Sequence, residues 1–179
     1  MIRELSPTPD MDVLDFGCGT GLLTLALKPF VRSITGVDSS SGMLEVFETK
    51  IKEQHLNNVK ANHLDLDKGD ALTGSYHLIV SSMTLHHVKN ISPLLKQFYA
   101  ILLPTGCLAI ADLDLDDGKF HSNNDGIFHC GFDRAKLSKT FTEAGFNNVQ
   151  DITAAEIEKE TLNNEMRQFT VFLMVGKKV

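Results

Sequence analysis

One short segment of the chain brings three glycines, Gly17, Gly19 and Gly21, within five positions, directly after an apolar run that contains Asp15. Glycine permits positive φ and lets a ligand approach the backbone closely. A strand that leads into such a turn and then into a helix is typical of a nucleotide-binding loop. Loops of this composition bind many ligands, so the glycines alone predict a binding loop and leave its ligand open.

A carboxylate further along the chain narrows the choice of ligand. Asp38 follows Gly17 by about 20 residues and ends the next apolar segment, where an acidic side chain can accept hydrogen bonds from both hydroxyls of a ribose. Asp15 places a second carboxylate at the loop, which disfavours a pyrophosphate and favours an ammonium group. The two acids predict a ligand that contains adenosine and carries an amino group.

Candidates for proton transfer lie in two segments, 81–88 and 111–118, that each follow a predicted strand. Ligands of open α/β sheets bind beyond the carboxyl ends of the strands, which places both segments at the site. His86 is the first candidate for a general base, because an imidazole exchanges protons near neutral pH. The further candidates are His87, Asp112, Asp114 and, in the following loop, His129. Adjacent histidines can instead serve only to fix the loop, and that alternative stays open.

The stretch 113–130 has turn residues and no helical or strand period, and a loop of this length is more often functional than not. It carries His121 and His129 beside acidic residues, which raises the hypothesis of a metal site. A calcium loop would need its glycine one place before Gly118 and a final glutamate, so no metal is predicted. We expect the stretch to cap an acceptor pocket, with His129 and Phe132 in its lining.

The order of the predicted elements can bring these distant segments to one edge. Strand-like segments alternate with amphipathic helices, which is the pattern of βαβ units around a parallel sheet. The predicted strands cover 12–16, 33–38, 58–66, 76–82 and 107–112, and the predicted helices cover 22–30, 42–55, 91–102 and 133–146. In the second helix Met43, Phe47 and Ile51 predict one buried stripe, with Ser40 or Ser41 as its N-cap.

The C-terminal part of the chain breaks the alternation. Strand-like segments at 148–157 and 169–178 are joined by the polar stretch 158–166, which is too short for a crossover helix, so the two strands should pair antiparallel. The last segment is apolar at nearly every position from Phe169 to Val175. We therefore predict that it is covered on both faces and inserted within the sheet.

Composition excludes several classes of protein. The 179 residues, 42% of them hydrophobic, predict one globular domain over 1–179, without a signal peptide or a membrane span. Three cysteines without a paired spacing predict neither disulfides nor a zinc site, and favour a reducing, cytoplasmic setting. The net charge of −6 makes a nucleic-acid partner unlikely, since that affinity depends on clustered Lys and Arg.

Taken together, "VLDFGCGTG", Asp38 and the antiparallel C-terminal pair resemble the class I S-adenosylmethionine-dependent methyltransferases, in the small-molecule branch that carries VLDxGCGTG. The resemblance implies a Rossmann-like, doubly wound α/β fold. Its seven-stranded sheet is mostly parallel with an antiparallel C-terminal strand, in the order 3-2-1-4-5-7-6. It also implies S-adenosylmethionine as the cofactor and S-adenosylhomocysteine as the product.

The same resemblance implies which residues hold the cofactor. The matching positions are Asp15, Gly17, Cys18, Gly19, Gly21, Asp38, Ser39, Met43, Asp65, Leu66 and Ser81. In the family pattern Asp65 contacts the adenine amino group, Met43 packs on the adenine face, and Ser81 begins the segment beneath the sulfonium. Simpler interpretations also stand: Cys18 is only a small residue at the loop, Met43 belongs to the core, and Asp65 caps a turn.

The expected function is methyl transfer to a small-molecule acceptor. Two alternatives stay open, an NAD-dependent oxidoreductase and a non-catalytic cofactor-binding module that acts through a partner. Family members usually have one or two cap helices before the first strand, and here only residues 1–12 come before the glycine-loop segment. The resemblance thus predicts a domain without those helices, with the cap supplied by a second copy or another partner.

Overall fold

The computed structural model describes residues 2–161 and 165–179, and strands and helices alternate there as the sequence predicts. The strands are β1 (Asp12–Phe16), β2 (Ser33–Asp38), β3 (Val59–His63), β4 (Tyr76–Ser82), β5 (Leu102–Leu113), β6 (Asn147–Glu160) and β7 (Met166–Lys177). The helices are α1 (Ile2–Leu5), α2 (Leu22–Leu27), α3 (Ser41–Glu53), α4 (Ile91–Ile101) and α5 (Arg134–Glu143). Short 3-10 segments cover Lys28–Phe30, Leu66–Lys68 and Leu85–His87.

The described strands form one seven-stranded sheet in the order β3-β2-β1-β4-β5-β7-β6, which confirms the predicted fold. The pairs from β3 to β5 are parallel, and β7 pairs antiparallel with both β5 and β6. Phe172, Leu173 and Met174 in β7 are fully buried because helices and loops cover both faces of this inserted strand.

The core lies on both faces of the sheet, because neighbouring residues of a strand point to opposite sides. Leu14 packs with residues of α4 and α5 on one face, whereas Val13 packs with α2 on the other. A smaller cluster around Phe47 fixes α3 against β2 and β3. In the described part of the chain, no helix has both the length and the apolar character that a membrane crossing requires.

Several predicted boundaries are wrong for local reasons. The helix predicted at 22–30 ends at Leu27, and a 3-10 segment with Pro29 in its first turn continues it. The strand predicted at 58–66 ends at His63, because Asp65 caps the next 3-10 segment. β5 begins at Leu102, the last residue of the helix predicted at 91–102, and it includes 103–106, which the sequence leaves between that helix and the next strand. β6 ends at Glu160 and β7 begins at Met166. The connection predicted between them includes 162–164, which lie outside the described residues.

The predicted stripe on α3 is also partly wrong. Met43 is 48% exposed, and the buried residues of this helix are Leu44 and Phe47. The helix begins after Ser40, whose hydroxyl accepts a hydrogen bond from the Met43 backbone N–H, so the first of the two predicted N-caps is the right one. Met43 therefore lies on the first, open turn of α3, and its interpretation as a core residue is wrong.

Candidate functional site

The three glycines of the loop are needed for different structural reasons. All three have positive φ, at +71° for Gly17, +52° for Gly19 and +83° for Gly21. A Cβ on Gly17 would overlap the side chain of Thr84, and one on Gly21 would overlap the ring of Phe47. A Cβ on Gly19 would meet no protein atom within 4 Å. Gly17 and Gly21 therefore accommodate the protein's own packing, and Gly19 is the glycine whose open side is free for a ligand.

Asp38 holds this loop against the end of β2. Its Oδ2 accepts a hydrogen bond from the Gly19 backbone N–H at 2.8 Å, and its Oδ1 accepts one from the Ser40 backbone N–H at 2.8 Å. The backbone N–H groups of Gly17 and Cys18 both donate to the Val37 carbonyl. Each carboxylate oxygen has two lone pairs, so both keep acceptor capacity for a further donor.

Asp15 lies beneath the loop and is only 1% exposed. Its Oδ2 accepts a hydrogen bond from the Thr24 hydroxyl at 2.6 Å, and burial raises the pKa of Asp15 to about 6. Thr24, in α2, is a partner that the sequence pattern does not indicate. The predicted contact between Asp15 and an ammonium group stays a prediction, and the structure places this carboxylate under the loop rather than on its open side.

Cys18 fills the space between the loop and β2. Its sulfur would lie 2.8 Å from a Cβ on Gly36, so the glycine in β2 makes room for this side chain. Burial, and then the nearby carboxylates of Asp15 and Asp38, raise the pKa of the Cys18 thiol. A thiol that stays protonated has little nucleophilic or redox reactivity, which favours the interpretation of Cys18 as a small packing residue.

The residues predicted to surround an adenine follow β2 and β3. The Asp65 carboxylate accepts a hydrogen bond from the Asp67 backbone N–H at 3.1 Å and pairs with Lys68 Nζ at 3.0 Å, and this Lys68 contact lowers the pKa of Asp65. The interpretation of Asp65 as a turn cap is thus confirmed, and an adenine contact stays a prediction. Leu66 opens the capped segment, and Ser39 accepts a hydrogen bond at its carbonyl from His63 Nε2 at 3.0 Å.

The end of β4 is tied to the loop by two hydroxyls. Ser81 is buried, and its Oγ donates to the Phe16 carbonyl at 2.9 Å. Thr84 donates to the Gly17 carbonyl at 3.2 Å. Ser81 is therefore an anchor inside the sheet, and Thr84, which sequence reasoning missed, is the residue after β4 that touches the glycine loop.

His86 and Asp112 form a buried pair across the ends of β4 and β5. Nδ1 of His86 lies 2.7 Å from Oδ1 of Asp112, and the His86 backbone N–H donates to Oδ2 at 3.3 Å. His86 is 1% exposed and Asp112 is fully buried. A carboxylate on Nδ1 fixes the ring and directs Nε2 to act as the proton acceptor. The structure thus joins two of the predicted catalytic candidates into one unit.

The other catalytic candidates hold the loop 113–130 in place. His87 Nδ1 lies 3.0 Å from the Gly126 carbonyl, and His129 Nε2 lies 3.0 Å from the Val88 carbonyl. Asp114 accepts hydrogen bonds from Arg134 at 2.6 Å and from the Thr170 hydroxyl. The His87 contact supports the alternative that this histidine fixes the loop, and the contacts of Asp114 and His129 hold the loop 113–130 at both of its ends.

The residues predicted to line an acceptor pocket, His129 and Phe132, have different neighbours from His121, the other histidine of the loop 113–130. Phe132 is buried and packs with the α4 and α5 side of the core, and the His129 ring lies 5.2 Å from it. His121, for which the sequence suggests only a metal-ligand role, instead lies next to His86, with ring centroids 4.9 Å apart. Its place could not be inferred from the sequence, because the two histidines belong to different crossovers.

Comparison with known proteins gives concordant matches. A sequence model of the family described as "Methyltransferase domain" matches residues 2–151. An uncharacterized methyltransferase of Schizosaccharomyces pombe is 29% identical over 161 residues, covering 82% of this chain and 57% of that protein. A malonyl-[acyl-carrier protein] O-methyltransferase of Priestia megaterium is 34% identical over 113 residues, covering 60% of this chain and 40% of that protein. The chain thus spans about half the length of these relatives.

Solved structures share the fold over the whole chain. The YcgJ protein of Bacillus subtilis superposes with a TM-score of 0.83 at 18% identity, covering 99% of this chain and 96% of that one. Phosphoethanolamine N-methyltransferase 2 of Haemonchus contortus, in complex with S-adenosyl-L-methionine, superposes with a TM-score of 0.78 at 14% identity, covering 99% of this chain and 51% of that one. At these identities the likeness is one of fold.

Proposed function

The chain belongs to the methyltransferase domain family, as its resemblance to class I enzymes predicted, and we propose on that premise that it transfers a methyl group from S-adenosylmethionine to a small-molecule acceptor. When bound, this cofactor supplies a methyl carbon whose bond to sulfur breaks with the electron pair left on sulfur, giving S-adenosylhomocysteine. The protein's own task is to hold the two reactants in line and to remove a proton from the acceptor.

The open side of the loop fits this cofactor. Gly19 faces space free of protein atoms, and Asp38 next to it is braced by two backbone N–H groups while retaining acceptor capacity. Asp38 binds the ribose hydroxyls, the exposed Met43 covers the adenine face, and Asp65 contacts the adenine amino group. The backbone around Gly19 lies along the methionine part.

One observation carries the proposal. His86, of the buried His86–Asp112 pair, is two residues along the chain from Thr84, the residue that touches the glycine loop. A cofactor on the loop therefore has a fixed imidazole beside it. His86 takes the acceptor's proton on Nε2, and Asp112 stabilises the imidazolium that forms, as in other carboxylate–histidine pairs.

The acceptor is a small molecule in this proposal because the chain is acidic, with a net charge of −6, and one relative is named as a demethylmenaquinone methyltransferase. A protein partner remains part of the proposal, because one similar structure is described as a complex with a methyltransferase activator. No observation on the described residues favours the NAD-dependent oxidoreductase or the non-catalytic module.

Calorimetry with S-adenosylmethionine, S-adenosylhomocysteine and NAD tests the proposal. We expect the two sulfur compounds to bind and NAD not to bind. Asp38→Ala should weaken their binding by about 1–3 kcal/mol, through loss of charge-assisted hydrogen bonds to the ribose. Glu48→Ala, which removes an acid from α3, is the control and should bind as the native protein does. Binding of NAD alone, or of none of the three, would overturn the proposal.

A further inference from the structure

Three imidazoles meet at the carboxyl ends of β4 and β5. The ring centroids of His86 and His87, in the 3-10 segment after β4, are 4.3 Å apart. His121, in the loop after β5, lies 4.9 Å from His86 and 6.2 Å from His87. Two separate crossovers therefore bring this cluster together beside the candidate base.

The three rings differ in their hydrogen bonding. His86 is bonded to Asp112 and His87 to the Gly126 carbonyl. Nε2 of His121 is buried and has no hydrogen-bond partner among residues 2–161 and 165–179. A buried polar atom without a partner costs about 1–3 kcal/mol, so such an atom beside a candidate base points to a missing contact.

The position of His121 is fixed by its neighbours. The carbonyl of the preceding residue, Phe120, accepts a hydrogen bond from Lys159 Nζ at 2.6 Å. The Phe120 ring packs edge-on against Phe169 at 5.2 Å and against the His121 ring at 4.9 Å. The strand pair β6–β7 thus supplies both anchors, and the unpartnered nitrogen is held in place.

The surroundings of His121 favour an uncharged ligand. Burial, followed by the nearby His86 and His87 rings, lowers the pKa of His121, so its imidazole is neutral at neutral pH. Of the charged groups that act on it, Lys159 lies on the side of the Phe120 carbonyl, to which its Nζ donates a hydrogen bond. Asp116, also nearby, would repel an anion.

We propose that His121 contacts the methyl acceptor through Nε2, and that the acceptor is a small uncharged molecule with a hydroxyl group. This inference rests on the proposed function. The hydroxyl reaches the Nε2 atoms of His86 and His121 at the edges of the two rings, its proton passes to Nε2 of His86, and its oxygen forms the bond to the methyl carbon. The electron pair of the broken carbon–sulfur bond stays on sulfur.

A metal site and a purely structural role each fit the cluster less well than a ligand contact does. A metal ion would need three ligands arranged around one point, and the described residues contain no such group of His, Cys, Asp and Glu. A purely structural histidine would have a ring nitrogen paired with the protein, as His87 and His129 have with carbonyls even where they are less buried. The unpartnered Nε2 fits neither case and fits a ligand contact.

The test uses phenol as the probe on the full chain saturated with S-adenosylhomocysteine. Toluene is the matched control without a hydroxyl, and benzoate is the control with a charge. Binding is followed by the ring resonances of isotope-labelled histidine, in the native protein, in His121→Phe and in His121→Gln. Calorimetry of S-adenosylhomocysteine in each variant gives a separate readout of cofactor binding.

We expect phenol to shift the resonances of His121 and His86 and to bind about fivefold more tightly than toluene, the worth of one hydrogen bond. His121→Phe should bring phenol to the affinity of toluene, and His121→Gln, which keeps a polar end, should stay within about twofold of the native protein. Phenol that leaves His121 unshifted, or that binds equally to His121→Phe, overturns the inference, as does equal binding of benzoate.

The outcomes separate this inference from the function on which it rests. A protein that binds S-adenosylhomocysteine but does not bind phenol at His121 loses the inference and keeps the proposed function. A protein that does not bind S-adenosylhomocysteine loses both.

Discussion

The glycine-loop side of the site, around Asp38, is assembled from adjacent strand ends, whereas the histidine side, around His86, is assembled from segments far apart in the chain. Asp38 reaches Gly19, which is 19 residues away, and the bonds are made by backbone N–H groups. His86 and Asp112 are 26 residues apart, and Lys159 reaches Phe120 across 39. The first side is held by one carboxylate that accepts from two backbone N–H groups, and the second depends on contacts between segments distant in the chain.

Asp38 on the glycine-loop side and Asp112 on the histidine side also differ in burial. Asp38 is half-buried and retains acceptor capacity, as a group that binds a ligand must. Asp112 is fully buried, and its oxygens accept hydrogen bonds from the His86 ring, the His86 backbone and the Leu113 backbone. The first acid is available to a ligand, and the second acts through His86, the residue that it contacts.

The largest expected effect is on the histidine side. Asp112→Ala should lower the free energy of unfolding by about 3–5 kcal/mol, because it leaves the buried ring of His86 and two backbone N–H groups without an acceptor. Asp116→Ala, a nearby and less buried acid, should cost less than about 1 kcal/mol. Equilibrium urea denaturation measures both. Equal effects of the two substitutions would contradict the division between the two sides.

Within the loop, two glycines should respond differently. Gly21→Ala should lower the free energy of unfolding by about 3 kcal/mol, since the new methyl group overlaps the buried Phe47 ring and the positive φ adds strain. Gly19→Ala should cost about 1 kcal/mol from its φ alone, while weakening binding of S-adenosylhomocysteine at least about tenfold. Denaturation and calorimetry on both variants provide the comparison. A Gly19→Ala variant that binds normally would show that its open side faces no ligand.

Asp15 makes the glycine-loop side sensitive to pH. Its folded pKa of about 6 lies above the unfolded value of 3.8, so its burial favours the folded state most below pH 3.8, and this contribution is lost as the pH rises to about 6. A bound ammonium group nearby would favour the charged form. At pH 6 S-adenosylhomocysteine should therefore release up to about half a proton, seen as a buffer-dependent binding heat.

Asp15→Asn is the control for this linkage. It should abolish the proton release and flatten the loss of stability between pH 4 and pH 7 relative to the native protein. A buffer-independent heat in the native protein would remove the predicted contact between Asp15 and the cofactor's amino group.

The smallest expected effect concerns the surface contact that ties the loop to β7. Arg167 pairs with Asp117 where both side chains are substantially exposed. Arg167→Gln should lower the free energy of unfolding by less than about 1 kcal/mol, and by less still at high salt. A larger loss of unfolding free energy that salt does not change would mean that this pair contributes as the buried contacts of the histidine side do.

The contrast also explains how much could be predicted from the sequence. The alternation of strands and helices and the buried final strand follow from local spacing, and the sheet order follows from the family resemblance. The glycines after one strand and the acid at the end of the next predict a ligand-binding loop, and the cofactor residues stay a prediction. The same local spacing could not separate Gly17 and Gly21, which accommodate Thr84 and Phe47, from Gly19. It also gave Met43 a core position that the start of α3 after Ser40 rules out.

The histidine side could be predicted only as a set of candidates. His86 and Asp112 both belong to that set, but their 2.7 Å contact depends on the parallel register of β4 and β5. Thr84 gave no signal, since a threonine after a strand is common, and His121 stood out only for a metal-ligand hypothesis. Their importance comes from the Gly17 carbonyl and the His86 ring, which only the fold brings to them.

One cofactor joins the two sides in the proposed function, and a crystal structure with S-adenosylhomocysteine tests this most directly. We expect ribose hydroxyls within hydrogen-bond distance of the Asp38 carboxylate, with the sulfur atom near Thr84 and facing His86. A ligand bound away from Asp38, or one whose sulfur lies on the side opposite His86, would contradict it.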